Sequence, residues 1–235
     1  LPQPESMAMY RDVTVPVPRT ATEEHFLRLP PFLANDRNEG RNRWKWRFDT
    51  PEKYQEYMKN YYRLATEADA VCGRVIDELR RQGVLDRTLV IFTADNGYFH
   101  AEHGLADKWY PYEESIRTPL IVRDPRMPAA QRGQTNDDLT LNVDLAPTFL
   151  AAAGVAAPAG PADGRSLVPV LRGETLTERA LFWHYPHYHS AGDGGPAGAV
   201  RAGDWKLVEY FEHTVAKTGR APELYNLRTD PGETK

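Results

Sequence analysis

Apolar residues recur every three to four positions from Tyr54 through Met58, Leu64, Val71 and Val75 to Leu79, the period of a single helix face. Thr50 before this stretch suits an N-cap, Pro51 suits the first helical position, and Gly83 suits the stop. The pattern predicts a long helix with one buried stripe, including Tyr57, Tyr61, Ala65, Ala68, Cys72 and Ile76. Thr88 to Thr93 is different. Its apolar run is unbroken and of strand length, the mark of a strand covered on both faces in an α/β sheet. Pro119-Leu120-Ile121-Val122 is a second such run, and Asp144 to Ala153 reads as a helix closed by Gly154.

The flanks obey other rules. Residues 1 to 50 are rich in proline and charge and read as a long surface excursion. Within them "RNRWKWRFD" alternates Arg41, Arg43, Lys45 and Arg47 with Asn42, Trp44, Trp46 and Phe48, a period of two that predicts a short strand. Beyond "GVAAPAGPADG", the segments "ALFWH", "GAVRAG", "WKLVEYF" and "ELYNL" are short and separated by turn residues, as in a small antiparallel sheet. The expected fold class is therefore α/β, followed by a smaller α+β piece, with domains at 1–160 and 161–235.

Composition narrows the function. The 235 residues carry 41% hydrophobic and 26% charged positions with a net charge of −4. A polyanion binder is not expected, so any anion site must be local, and nucleic acid is not an expected partner. One cysteine, Cys72, excludes an internal disulfide framework. No stretch of about 18 apolar residues is present to span a membrane. The chain opens on Leu1 and closes on "DPGETK", and the expectation is a part of a longer protein.

The chemistry gathers in "TADNGYFHAEHGLADKW", residues 93–109. Ligands of open α/β sheets lie beyond the carboxyl ends of the strands, where Asp95 and Asn96 fall, with Gly97 freeing the turn. A carboxylate beside an amide carbonyl offers hard oxygen ligands suited to Ca²⁺ or Mg²⁺. Taken alone, Asp-Asn-Gly is equally a turn signal, and Lys108 alone a solvated lysine.

The longer stretch "VIFTADNGYFHAEHGLADKWYPYEESIRTPLIV" resembles the sulfatase family, with its strand ending in Asp-Asn-Gly, a lysine, Tyr-Glu and Arg-x-Pro before the next strand. "DLAPTFLAAAGV", "GRSLVPVLRG", "AVRAGDWKLVEYF" and "ELYNLRTDPGE" continue the likeness to the C-terminus. The resemblance implies part of an alkaline-phosphatase-like mixed sheet flanked by helices, with Asp95 and Asn96 as ligands of Ca²⁺ (or Mg²⁺) and Lys108 holding the sulfate group. It implies a sulfated small molecule or saccharide as substrate, with aminosugar and glycosaminoglycan sulfates most in keeping, and a periplasmic or extracellular location. The family's nucleophile is a formylglycine made from Cys/Ser-x-Pro/Ala-x-Arg. Cys72 begins "CGRVI", and Ser6, Ser115, Ser166 and Ser190 fit no better. The expectation is a C-terminal half that lacks hydrolase activity by itself and has the N-terminal half of the same protein as its partner.

Other residues have more than one reading. His184, His187 and His189 in "HYPHYH" suit a substrate-lining loop, a packed surface or a zinc site. His100 and His103 are candidate substrate contacts, while Glu113, Glu114 and Arg117 are expected to form an ion-paired brace. "RNRWKWRFD" serves as a packed insertion, a wall of the substrate cleft or a patch for a charged polymer. Two functions compete with a sulfuric ester hydrolase. One is a related phosphohydrolase, disfavoured because such enzymes usually place histidine where Asn96 stands. The other is a noncatalytic module for sulfated polymers.

Overall fold

The computed structural model describes residues 1–156, 163–187, 196–211 and 221–234. Position 160, where a domain boundary is expected, lies outside these residues, as do His189 and Ser190. The helices are α1 (Glu23–Arg28), α2 (Glu39–Arg47), α3 (Pro51–Arg81), α4 (Glu113–Ile116), α5 (Leu145–Ala153) and α6 (Val168–Leu171). The strands are β1 (Val90–Thr93), β2 (Phe99–His100), β3 (Ala106–Asp107), β4 (Leu120–Arg123), β5 (Ala180–Tyr185), β6 (Ala197–Ala202), β7 (Trp205–Tyr210) and β8 (Glu223–Asn226).

Helix α3 begins where its caps require. The Thr50 hydroxyl accepts the Lys53 backbone N–H at 3.3 Å, and Gly83 takes the left-handed conformation at φ +67°. Its stripe is buried only at the N-terminal end, where Tyr54 and Met58 pack with Val15, Phe48, Ala101 and Ala106. The first residues of the chain lie along these turns. The Tyr54 hydroxyl donates to Pro16 O at 2.8 Å, and Gln3 N donates to Glu67 Oε1 at 2.7 Å. Further along, Val71 and Val75 are exposed. The single buried stripe expected over the whole helix is thus corrected to its first turns, at Tyr54 and Met58, since Tyr61 and Leu64 are already exposed.

Strand β1 pairs antiparallel with β4, Phe92 lying opposite Ile121. Both side chains are exposed, Ile121 at 64%, so among the described residues this ladder lacks the cover on both faces that its unbroken apolar run predicts. The small sheet forms as expected, with strand order β5-β6-β7-β8, antiparallel throughout.

The segment "RNRWKWR" is helix α2, not a strand. The Asn38 side chain caps it by accepting from Arg41 N. Arg41 is buried between Phe26 and Trp44, with its guanidinium carbon 4.1 Å from each ring centre. Period-two alternation lost to this packing, which needs residues three and four apart on one face.

The larger of two buried clusters among the described residues joins the parts. Phe26, Leu29 and Leu33 from the N-terminal excursion, Phe99, Leu105 and Tyr112 from the middle, and Ala199, Val208 and Tyr225 from the small sheet share a single buried cluster. Polar links reinforce it. Asp144, fully buried, receives both terminal nitrogens of Arg179 and the backbone N–H groups of Leu141 and Arg165. Burial opposes its ionisation, but these donors prevail and hold its pKa below the usual value. Lys206 is also fully buried, paired with Glu233 at 2.8 Å and Glu113 at 3.2 Å. This ties the sheet and the chain's last described residues to α4.

Candidate functional site

Strand β1 ends at Thr93, and the chain bends at Asp95. Gly97 fixes the course of the chain beyond the bend. Its N–H donates to Ser115 O at 2.7 Å, and a Cβ there would stand 2.1 Å from Glu114 O and 2.7 Å from Arg117 O. Only glycine allows the strand end to lie this close to the α4 turn. Next comes a short hairpin in which β2 pairs with β3, Phe99 opposite Asp107 and His100 opposite Ala106. The hairpin returns the chain to its start. Lys108 Nζ donates to Asn96 Oδ1 at 2.5 Å across a separation of 12 residues.

Between these partners four residues adopt positive φ: Ala101 at 89°, His103 at 55°, Gly104 at 65° and Asp107 at 67°. Three are not glycine, and such backbone persists only where its surroundings hold it. Asp107 is held tightly. Its Oδ1 accepts from the Tyr98 hydroxyl at 2.6 Å, and its Oδ2 accepts from Arg43 and Arg47 at 2.9 Å each. Burial raises the cost of its charge, but Tyr98 and the two guanidinium groups outweigh it and lower the pKa. Arg43 also lies over Trp109, 5.0 Å from the ring centre. Sequence reasoning missed Asp107 and placed Arg43 only in the basic set of an expected strand, with no link to Asp107. The signal available was the four-residue spacing of Arg43 and Arg47, which places both on one helix face.

The candidate histidines separate into two groups. His100 packs on Tyr61 and Tyr98 with ring centres 4.4 and 4.9 Å away, and burial lowers its pKa to about 4. His103 is 2% exposed, stacked on Tyr112 at 5.1 Å, with Nε2 3.6 Å from Glu114 Oε1. These side chains shape the hairpin and its core. His184 and His187 lie elsewhere, at the end of β5, against Phe211 and Tyr185 respectively. The brace expected of Glu113, Glu114 and Arg117 is corrected. Glu113 pairs with Arg201 and Lys206 and Glu114 faces His103, whereas Arg117 is exposed and ion-pairs with neither.

Hard oxygen donors stand at one place. The Asp95 carboxylate is exposed and makes no hydrogen bond or ion pair among the described residues, and Asn96 turns Oδ1 to Lys108 while Nδ2 donates to Gly97 O at 2.6 Å. Their chemistry fits Ca²⁺ or Mg²⁺, but such ions need about six or more oxygens. Among the described residues no group of three or more His, Cys, Asp or Glu could complete a metal shell, and no helix is long and apolar enough to cross a membrane.

Comparison with solved structures identifies the architecture. A protein solved in complex with its substrate D-glucosamine-2-N,6-O-disulfate is 27% identical, superposes over 100% of this chain and 57% of its own, and gives a TM-score of 0.76. A phosphonate monoester hydrolase from Silicibacter pomeroyi is 26% identical over 94% of this chain and 46% of its own, with a TM-score of 0.74. The sulfatase family model matches residues 23–155, and the model of the C-terminal part of N-sulphoglucosamine sulphohydrolase matches residues 101–235. The chain belongs to the sulfatase family. N-acetylglucosamine-6-O-sulfatase of Bacteroides thetaiotaomicron is 37% identical over 185 residues, 77% of this chain and 32% of that protein. The chain thus spans about a third of the length of the curated relatives it matches.

Proposed function

We propose that this chain is the C-terminal part of a sulfatase that releases inorganic sulfate from a sulfated saccharide, with an aminosugar sulfate as the preferred class. The reading is carried by one observation: the Lys108 ammonium meets Asn96 Oδ1 at the end of β1, beside the open carboxylate of Asp95. Asp95 and Asn96 would hold Ca²⁺ with further oxygens from the N-terminal half, which would also supply the formylglycine. The cation would polarise the sulfo group. Lys108, a compact charge with three donors, would hold sulfo oxygens and stabilise charge on the leaving oxygen as the S–O bond breaks. His184 and His187, exposed at the end of β5, are available to the sugar. His103, enclosed by Tyr112 and Glu114, would instead hold the loop that carries Lys108. The similarity to N-acetylglucosamine-6-O-sulfatase and to the protein solved with a disulfated glucosamine supports the substrate class, and an extracytoplasmic location accords with it.

The test uses the full-length polypeptide. Lys108→Ala should lower kcat/KM on a 6-O-sulfated glucosamine by about 100-fold, the scale of losing one oxyanion donor, with little change in melting temperature. Parental turnover would remove Lys108 from the reaction. A phosphonate monoester cleaved faster than the sulfate ester would replace the substrate class with the alternative of a phosphohydrolase.

A further inference from the structure

We infer that Arg43 is a positioning residue for Lys108, a role that rests on the proposed use of Lys108 to hold the sulfo group. Lys108 itself is exposed and bonds to Asn96 through its terminal nitrogen. A four-carbon stem with that freedom does not by itself stay in one place. What fixes its root is the pair of residues on either side. Asp107 bonds to Arg43 through Oδ2 at 2.9 Å, and Trp109 lies under the same guanidinium, 5.0 Å from ring centre to Cζ. One side chain therefore grips both neighbours of the lysine.

Arg43 is itself held. Its Nε donates to Glu39 Oε1 at 2.9 Å, one turn back on α2. The planar fork suits this task, because two edges reach separate carboxylates while the face stays free for the indole. Asp107 needs such a grip because its φ of +67° is adopted only under constraint. Arg47 and Tyr98 secure Asp107 as well, and of these three Arg43 is the one placed over Trp109, on the far side of Lys108. The basic, tryptophan-bearing segment thus serves the reaction through Lys108 rather than by binding a charged polymer.

The experiment is a double-mutant cycle in the full-length enzyme on a sulfated glucosamine. Arg43→Gln should lower kcat/KM about tenfold, mainly through kcat, because small misplacements of a positioning group cost up to ~100-fold. Arg43→Lys, which keeps the charge but not the fork or the plane, should not restore it. In a Lys108→Ala background, Arg43→Gln should cost nothing further. Trp109→Leu, which loosens the same grip from the other side, should shift kcat in the same direction and serves if the Arg43 variants fold poorly.

The inference is overturned if Arg43→Gln and Trp109→Leu keep parental kcat while Lys108→Ala loses activity. It is also overturned if the Arg43→Gln loss is undiminished in the Lys108→Ala background, or if Arg43→Lys restores full turnover. Parental activity in Lys108→Ala would instead overturn the reading of Lys108, and the inference with it.

Discussion

Asn96 and Lys108 stand 2.5 Å apart, Oδ1 to Nζ, although the chain between them makes a complete hairpin. The oxygen that receives the ammonium is the one a cation would use. An amide oxygen has two lone pairs, so it can serve both, but a divalent ion beside it would repel Lys108 and turn it toward an anion.

Asp95→Ala should weaken calcium retention in the full-length protein by at least about 100-fold, since even residues behind metal ligands commonly cost 10–100-fold. Calorimetric titration of the metal-free protein measures this directly, and parental affinity would contradict the ligand assignment.

Gly97→Ala should damage the fold at the site. The new methyl group would meet Glu114 O at 2.1 Å, and overpacking of this kind costs about 3 kcal/mol. Urea unfolding monitored by tryptophan fluorescence would register the loss, whereas Gly73→Ala, in open space on α3, should not show it.

Two buried groups should give opposite dependences of stability on pH. His100 binds its proton near pH 4 when folded against an ordinary value of 6.5. Between those values the unfolded chain binds more protons, so His100 destabilises the fold as pH falls through the window. Glu233 is the reverse. Burial, opposed by Lys206, raises it from 4.5 to about 7, so the folded chain binds more protons there and Glu233 costs stability as pH rises from 4.5 to 7. Thermal melts from pH 4 to 8 should show His100→Phe less sensitive to acid. Glu233→Gln should be less destabilised toward neutrality, and unchanged slopes would refute either assignment.

Asp144→Ala should cost about 3–5 kcal/mol, the usual result of stranding one partner of a buried ion pair. Here it would leave Arg179 without its carboxylate, with Leu139 O as its remaining acceptor, and two backbone N–H groups without theirs. Chemical denaturation provides the measurement, and a cost below about 1 kcal/mol, the scale of an exposed pair, would contradict it.

Much of this fold was legible in local signals. Thr50, Pro51 and Gly83 mark both ends of α3 correctly, and Gly154 ends α5 at φ +70°, because caps depend on neighbours in sequence. The four strands of the small sheet emerged for the same reason, since turn residues separate short alternating runs. Helix α2 did not, because its partners Phe26 and Asp107 are remote in sequence. At the candidate site, Asp95, Asn96 and Lys108 were legible as residue types. Their relation to Asp107 was not, because the spacing of Arg43 and Arg47 shows a shared helix face but does not point to an aspartate so remote in sequence.

Neither β1 nor β4 has a hydrogen-bonded neighbour on its outer side among the described residues, and Phe92 and Ile121 stand uncovered on one face. Free strand edges with apolar side chains are templates for further pairing. Produced alone at high concentration, these residues should self-associate through that ladder, so their solubility will depend on what is co-expressed or refolded with them.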